Sequence, residues 1–233
     1  MSYFYHFCVT VSVLLLYDVL FMMKLQGRIS LIVLWLLVIK IHATEPFFPS
    51  KVTFTSQNYY SIFIMDQGKS DVADLVSLLQ FNNPDISYQQ AFAIASIYVE
   101  ESMKEGVNHD IAFCQMALET GFLNYGGSVQ KYQNNFCGLG ATAAHVKGES
   151  FPDIQTGVRA HIQHLKAYAS FKDTESKCVD KRFKYVKRGT APTIYGLSGR
   201  WASDPLYDKK IEGLLYRLFT HRRLMAHQTE FGQ

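Results

Sequence analysis

From Ser70 onward the chain repeats apolar residues at spacings of three and four. Val72, Leu75, Val76 and Leu79 share one face and predict a helix that Asn82-Asn83-Pro84-Asp85 ends. Ser87 is placed to cap a second helix, Tyr88 to Glu105, with Ala91, Ile94, Ala95, Tyr98 and Val99 as its apolar face and Gly106 as its stop. Asn108 can cap a third, whose run Ile111-Ala112-Phe113-Cys114-Gln115-Met116-Ala117-Leu118-Glu119 ends at Gly121, and Asp110 suits its positive first turn. Residues 122–150 are rich in Gly and Asn and predict a loop or small hairpin lobe. Val158, Ile162, Leu165 and Tyr168 mark another helix over 157–170. An irregular stretch, 172–203, precedes a last helix over 206–225 with Ile211, Leu214, Leu215 and Leu218 aligned. The expected fold class is mainly α, an α+β arrangement in which a helical lobe and a small loop or strand lobe flank a groove.

The pattern before Ser70 is different. Tyr3–Met23 and Ile29–Ile39 are apolar, and the first 43 residues hold four charged side chains, Asp18, Lys24, Arg28 and Lys40. Lys24 and Arg28, the short apolar centre and Ala43 make up a secretory signal, with cleavage expected after Ala43. Its apolar centre is short for a membrane span, which takes about 20 residues. Asp18 interrupts the first stretch, so either translation starts at Met22 or Met23 or a pair of apolar helices tethers the protein. Residues 44–69 read as an extended arm, with Val52, Phe54, Tyr59, Ile62 and Ile64 alternating with polar residues. The expected division is a leader (1–43), an arm (44–69), a main domain (70–226) and a tail (227–233). The protein is expected outside the cytoplasm, periplasmic or extracellular, with membrane contact only through an uncleaved leader.

Losing the leader removes three basic and one acidic side chain, so the formal charge falls from +3 to +1. A nearly neutral chain has no electrostatic reason to seek nucleic acid. With 14 Tyr and 17 Phe, ligand recognition through aromatic faces and hydrogen bonds is the better fit. The four cysteines, Cys8, Cys114, Cys137 and Cys178, form neither a disulfide framework nor a metal-ligand spacing. A Cys137–Cys178 bridge and a catalytic thiol served by His109, His145, His161 or His164 stay open. No metal or cofactor is expected, and the chain is expected to be a monomer.

Glu119 is the candidate of most chemical interest. A carboxyl at the end of an apolar helix is half desolvated, which raises its pKa. A carboxylic acid kept neutral at working pH can protonate the leaving oxygen of a glycosidic bond. Gln115 lies one turn before it on the same face.

Four segments resemble one family. Gln115-Met-Ala-Leu-Glu119-Thr-Gly resembles the Q-x-x-x-E-S/T-G segment of the peptidoglycan glucosaminidases, glycoside hydrolase family 73 of the lysozyme-like superfamily. Asn134-Asn-Phe-Cys-Gly-Leu139, Phe151 to Leu165 and Trp201-Ala-Ser-Asp-Pro-Leu-Tyr207 resemble further segments in the family's order. The resemblance covers roughly 70–225. It implies hydrolysis of the β-1,4 bond between N-acetylglucosamine and N-acetylmuramic acid in peptidoglycan glycan strands, with Glu119 as general acid and water as second substrate. It implies a second group against the charge that builds on the sugar: a nucleophilic carboxylate, a carboxylate activating water, or the substrate's own acetamido group. Glu149 and Asp153 are the carboxylate candidates. Gln115, Asn135, Tyr195, Trp201 and Tyr207 are candidate substrate contacts. The family often has Tyr at the position of Trp201, which leaves open whether Tyr207 supplies a phenol hydroxyl. A muramidase or lytic transglycosylase would share this scaffold, and a wall-binding module without turnover is the alternative from another class.

Overall fold

A computed structural model describes residues 60–127, 129–141 and 146–230 of the chain. The leader and most of the arm lie outside the described residues. Five α-helices are described: α1 Val72–Asn82, α2 Tyr88–Glu105, α3 His109–Thr120, α4 Ile154–Ala169 and α5 Tyr207–Glu230. Short 3-10 turns occur at Lys131–Gln133, Phe183–Tyr185 and Ile194–Gly196. The only β pairings among the described residues are isolated bridges, Phe63 with Thr193 and Ser198 with Ala202. The lobe expected as loop or strand over 122–150 is therefore loop and one 3-10 turn. The last helix runs past the expected boundary at 226.

The helices begin where side chains satisfy their first amides. Asp71 and Asp74 exchange hydrogen bonds as a reciprocal cap on α1, and Ser87 and Gln90 do so on α2. Asn108 Oδ1 accepts from Asp110 and Ile111 at α3, and Asp153 accepts from the Thr156 amide at α4. Gly106 (φ +71°) and Gly121 (φ +57°) end α2 and α3 in the left-handed conformation that favours glycine.

α3 is the central helix. Every side chain from His109 to Ala117 is buried, the apolar ones in the core and the polar His109, Asp110 and Gln115 against hydrogen-bond partners. α1, α2, α4 and α5 pack around it. Asp110 also accepts from the Lys69 and Ser70 amides, and the Asn108 amide donates to Ile64 O, so the end of the arm is fastened to the start of α3.

α2 and α4 are clamped by two ion pairs that the apolar periodicity conceals. Glu101, with a fully buried side chain, accepts from Arg159 at 2.7 Å. Buried Glu105 and Lys166 pair at 2.9 Å. Burial alone would raise the Glu101 carboxyl, but hydrogen bonds from Arg159, Gln155 and Lys104 hold it down at about 2. The loop lobe meets α4 at Gly157, where a Cβ would lie 1.8 Å from Asn134 O, so only glycine fits.

Candidate active site

The chain leaves α3 in an unusual turn. After Gly121, the non-glycine residues Phe122, Leu123 and Tyr125 all have φ between +54° and +64°. Such residues cost on the order of 1–3 kcal/mol each. Local bonds compensate: the Phe122 amide reaches Ala117 O, the Tyr125 amide reaches Thr120 O, and Asn83 Nδ2 donates to Phe122 O. The reversal opens the last turn of α3 to one side and leaves Glu119 on the wall of a cleft of about 620 Å³. Gly138, Leu139 and Gly140 of the loop lobe form another wall, and His164, Tyr168 and Trp201 a third.

Glu119 has two unlike oxygens. Oε1 accepts from the Tyr207 hydroxyl and, at 3.2 Å, from Trp201 Nε1–H. Oε2 has no hydrogen-bond partner among the described residues and faces Gly138, where a Cβ would stand 3.9 Å from it. Burial raises the Glu119 carboxyl above its ordinary 4.5, against the opposing pull of the Tyr207 and Trp201 hydrogen bonds. Because Oε1 already accepts two donors, a proton on the neutral acid belongs on Oε2, at the cleft. A neutral carboxyl with its proton turned to open space is a proton donor to a bound ligand.

The other expected site residues divide into three groups. Trp201 and Tyr207 meet at Glu119. Gln115 and Asn135 are fully buried and bonded within the protein. Gln115 Nε2 donates to Tyr207 at 2.8 Å. Asn135 ties the loop lobe together: Nδ2 donates to Leu139 O and Glu149 O, and Oδ1 accepts from the Leu139 amide. Glu149, Asp153 and Tyr195 are absent from the described cleft lining. Glu149 pairs with Lys181 at 3.1 Å, Asp153 is the exposed cap of α4, and Tyr195, 44% exposed, donates to Glu212. Among the described lining residues Glu119 is the sole carboxylate.

His164, which the sequence offered only as a partner for a thiol, stands at this cleft. It packs edge-on against Trp201 at 5.1 Å between ring centres, and bonds through Nδ1 to Asp180 Oδ2 at 2.7 Å. Asp180 is itself buried and accepts from the Arg182 amide. Cys114, Cys137 and Cys178 are all free. Cys137 lines the cleft, but burial, followed by the nearby Glu119 charge, pushes its thiol well up, so it stays protonated and is a poor nucleophile.

A protein of Borreliella burgdorferi described only as uncharacterized is 45% identical over 182 residues, covering 78% of this chain and 89% of that one. Among solved structures, that of S. aureus autolysin E in complex with the muropeptide NAM-L-Ala-D-iGlu aligns with a TM-score of 0.45 and 14% identity, over 69% of this chain and 71% of that one. Residues 95–219, which hold Glu119, both of its hydrogen-bond donors and every described wall of the cleft, match the Glucosaminidase family, described as mannosyl-glycoprotein endo-beta-N-acetylglucosaminidase. That match spans more than half of the sequence, and the chain belongs to the glucosaminidase family of glycoside hydrolases.

Proposed function

We propose that the protein hydrolyses the β-1,4 bond between N-acetylglucosamine and N-acetylmuramic acid in peptidoglycan, outside the cytoplasmic membrane, with Glu119 as general acid. The observation that carries this reading is the asymmetry of Glu119: one oxygen is tied inward by Tyr207 and Trp201, and the other faces a cleft of about 620 Å³. Trp201 offers an indole face at the same place. No helix among the described residues is long and apolar enough to cross a membrane.

Glu119 is the one carboxylate among the described lining residues, and Glu149, beside Gly140, is paired with Lys181, which favours the third of the three routes. Glu119 gives its proton to the leaving oxygen as the C1–O bond breaks. The carbonyl oxygen of the N-acetylglucosamine acetamido group closes on C1 to form an oxazolinium ion. Water then opens that ring at C1, Glu119 takes the proton from the water, and the anomeric configuration is retained. His164, held by Asp180, borders the same space and can hydrogen-bond a substrate hydroxyl or amide.

The cleft continues past His164, Tyr168, Arg182 and Arg200 into a second chamber of about 340 Å³, where Lys187, Tyr185 and Thr190 join the lining. No acid lines that chamber among the described residues. Its cationic wall suits the carboxylates of peptide stems better than an uncharged glycan.

The test is digestion of purified wall with the sugar ends identified. New reducing-end N-acetylglucosamine is expected, and Glu119→Gln should still bind wall while releasing roughly 10²–10⁴ times fewer ends. Anhydro-muramic ends would make the protein a lytic transglycosylase. Binding without cleavage by both forms would make it a wall-binding module. The acid must be protonated to act, so activity should fall as pH rises through the raised Glu119 value and persist above the ordinary carboxylate range.

A further inference from the structure

Behind Glu119 a line of buried polar groups runs into the core. Tyr207 OH accepts from Gln115 Nε2 at 2.8 Å, Gln115 Oε1 lies 2.9 Å from His161 Nε2, and His161 Nδ1 lies 2.9 Å from Tyr98 OH. Tyr98, Gln115 and His161 are fully buried and Tyr207 nearly so. They come from α2, α3, α4 and α5, so four helices supply one member each. Polar side chains at four core positions, bonded end to end and finishing on the reactive carboxyl, exceed what packing requires. We infer that Tyr98, His161 and Gln115 form a positioning relay that fixes Tyr207 as a donor to Glu119 Oε1 and so places the transferable proton on Oε2, the oxygen facing the cleft.

The direction of the relay follows link by link. An ionised carboxylate only accepts, so Tyr207 must donate to it. The Tyr207 oxygen is then free to accept from the Gln115 amide nitrogen, which turns Gln115 Oε1 toward His161. Burial, with a smaller contribution from His164, drives the His161 imidazolium down to about 3, so the ring is neutral with one donor and one acceptor. Its Nε2 must carry the hydrogen to serve Gln115, which leaves Nδ1 to accept from Tyr98. Tyr98 has no other hydrogen-bond partner among the described residues, so it can act as a pure donor. The reversed relay would turn Gln115 over, draw the Tyr207 hydrogen away from Glu119, and hold the acid's proton on the inward oxygen. In that state no proton faces the cleft. Tyr98, the remote end, thus biases the chemistry without touching substrate.

The inference rests on the reading of Glu119 as the acid, and its test separates the two. In Tyr98→Phe the ring keeps its edge-on contacts with Phe113 and Phe136, so the fold survives while the terminal donor is lost. The relay then samples both directions. The basic limb of kcat/KM on solubilised wall glycan should move up by as much as about one pH unit, the size of one charged hydrogen bond, and kcat should fall about fivefold with KM unchanged. In a Tyr207→Phe background, Tyr98→Phe should move the limb no further, whereas a merely structural role would act equally in both. The other titratable and charged groups around Glu119, namely Cys137, His164 with Asp180, Arg182 and Arg200, are the same in every arm of this comparison. The resting wild-type protein gives a second readout: side-chain ¹⁵N spectra should show His161 as the Nε2–H tautomer. A limb unmoved in folded Tyr98→Phe, an equal shift in both backgrounds, or an Nδ1–H tautomer overturns the relay. Should wild type cleave no wall glycan, the functional reading fails instead, and the tautomer together with a ¹³C carboxyl titration of Glu119 still decides the relay.

Discussion

Replacing Glu101 by Gln tests the buried clamp between α2 and α4, the helix that carries both His161 and His164. Glu101 sits at about 2 in the folded protein against an ordinary 4.5. At about 1.4 kcal/mol per pH unit, that difference sets a ceiling of about 3 kcal/mol on the stability tied to its charge. Its partners Arg159 and Lys104 are reached by water, with side chains 24% and 40% exposed, so screening brings the expected value nearer 2 kcal/mol. The sign follows from the direction of the shift. The folded form holds this proton less tightly than the unfolded chain, so the stabilisation is complete above the unfolded value, near 4.5, and is lost as pH falls toward 2. Urea unfolding of both proteins from pH 7 to pH 2 measures it. Glu101→Gln should be about 2 kcal/mol less stable at pH 7, and the gap should close across that window. A gap that is the same at every pH would refute the electrostatic account and leave only lost packing.

Other perturbations have readouts of their own. Gly157→Ala forces α4 and the loop lobe apart, since the new Cβ would stand 1.8 Å from Asn134 O; a loss of about 3 kcal/mol, near 10 °C in Tm, should appear in thermal unfolding. Trp201→Phe removes one of the two hydrogen bonds that pull the Glu119 carboxyl down, so the basic limb of the pH–rate profile should move to higher pH. Arg182→Ala should raise KM two- to fivefold on glycan strands that keep their peptide stems and leave neutral N-acetylglucosamine oligomers unaffected, as expected for one partly exposed charge contact. Equal KM changes on both substrates would remove the stem from that chamber.

The helices were legible because their ends are chemical. Asp71, Ser87 and Asn108 cap them, Gly106 and Gly121 stop them, and their apolar stripes repeat at helical spacing. Glu119 was legible for the same reason, as the last carboxyl on an apolar helix. What could not be read was which polar residues turn inward. Gln115 and Asn135 have the chemistry of sugar contacts, yet one serves the core of the site and the other the frame of the loop lobe. Glu149 and Asp153 follow the Gly-rich lobe in sequence but belong to an ion pair and a helix cap. A usable signal lay in the stripes themselves. Glu101 and Glu105 extend the run Ile94, Tyr98 of α2, and His161 falls between Val158 and Leu165 on α4. An ionisable side chain at a core position calls for a buried partner, and partners on other helices are invisible to a local pattern.

The base of the loop lobe is stitched shut: the Glu149 amide donates to Leu139 O at 2.7 Å, and Asn135 Nδ2 holds both Leu139 O and Glu149 O. Inserting residues between Gly140 and Gly148 would therefore enlarge a ring already closed at Leu139 and Glu149, at about 0.6 kcal/mol of entropy per doubling of its length, and Gly138 and Leu139 would keep their register on the cleft wall.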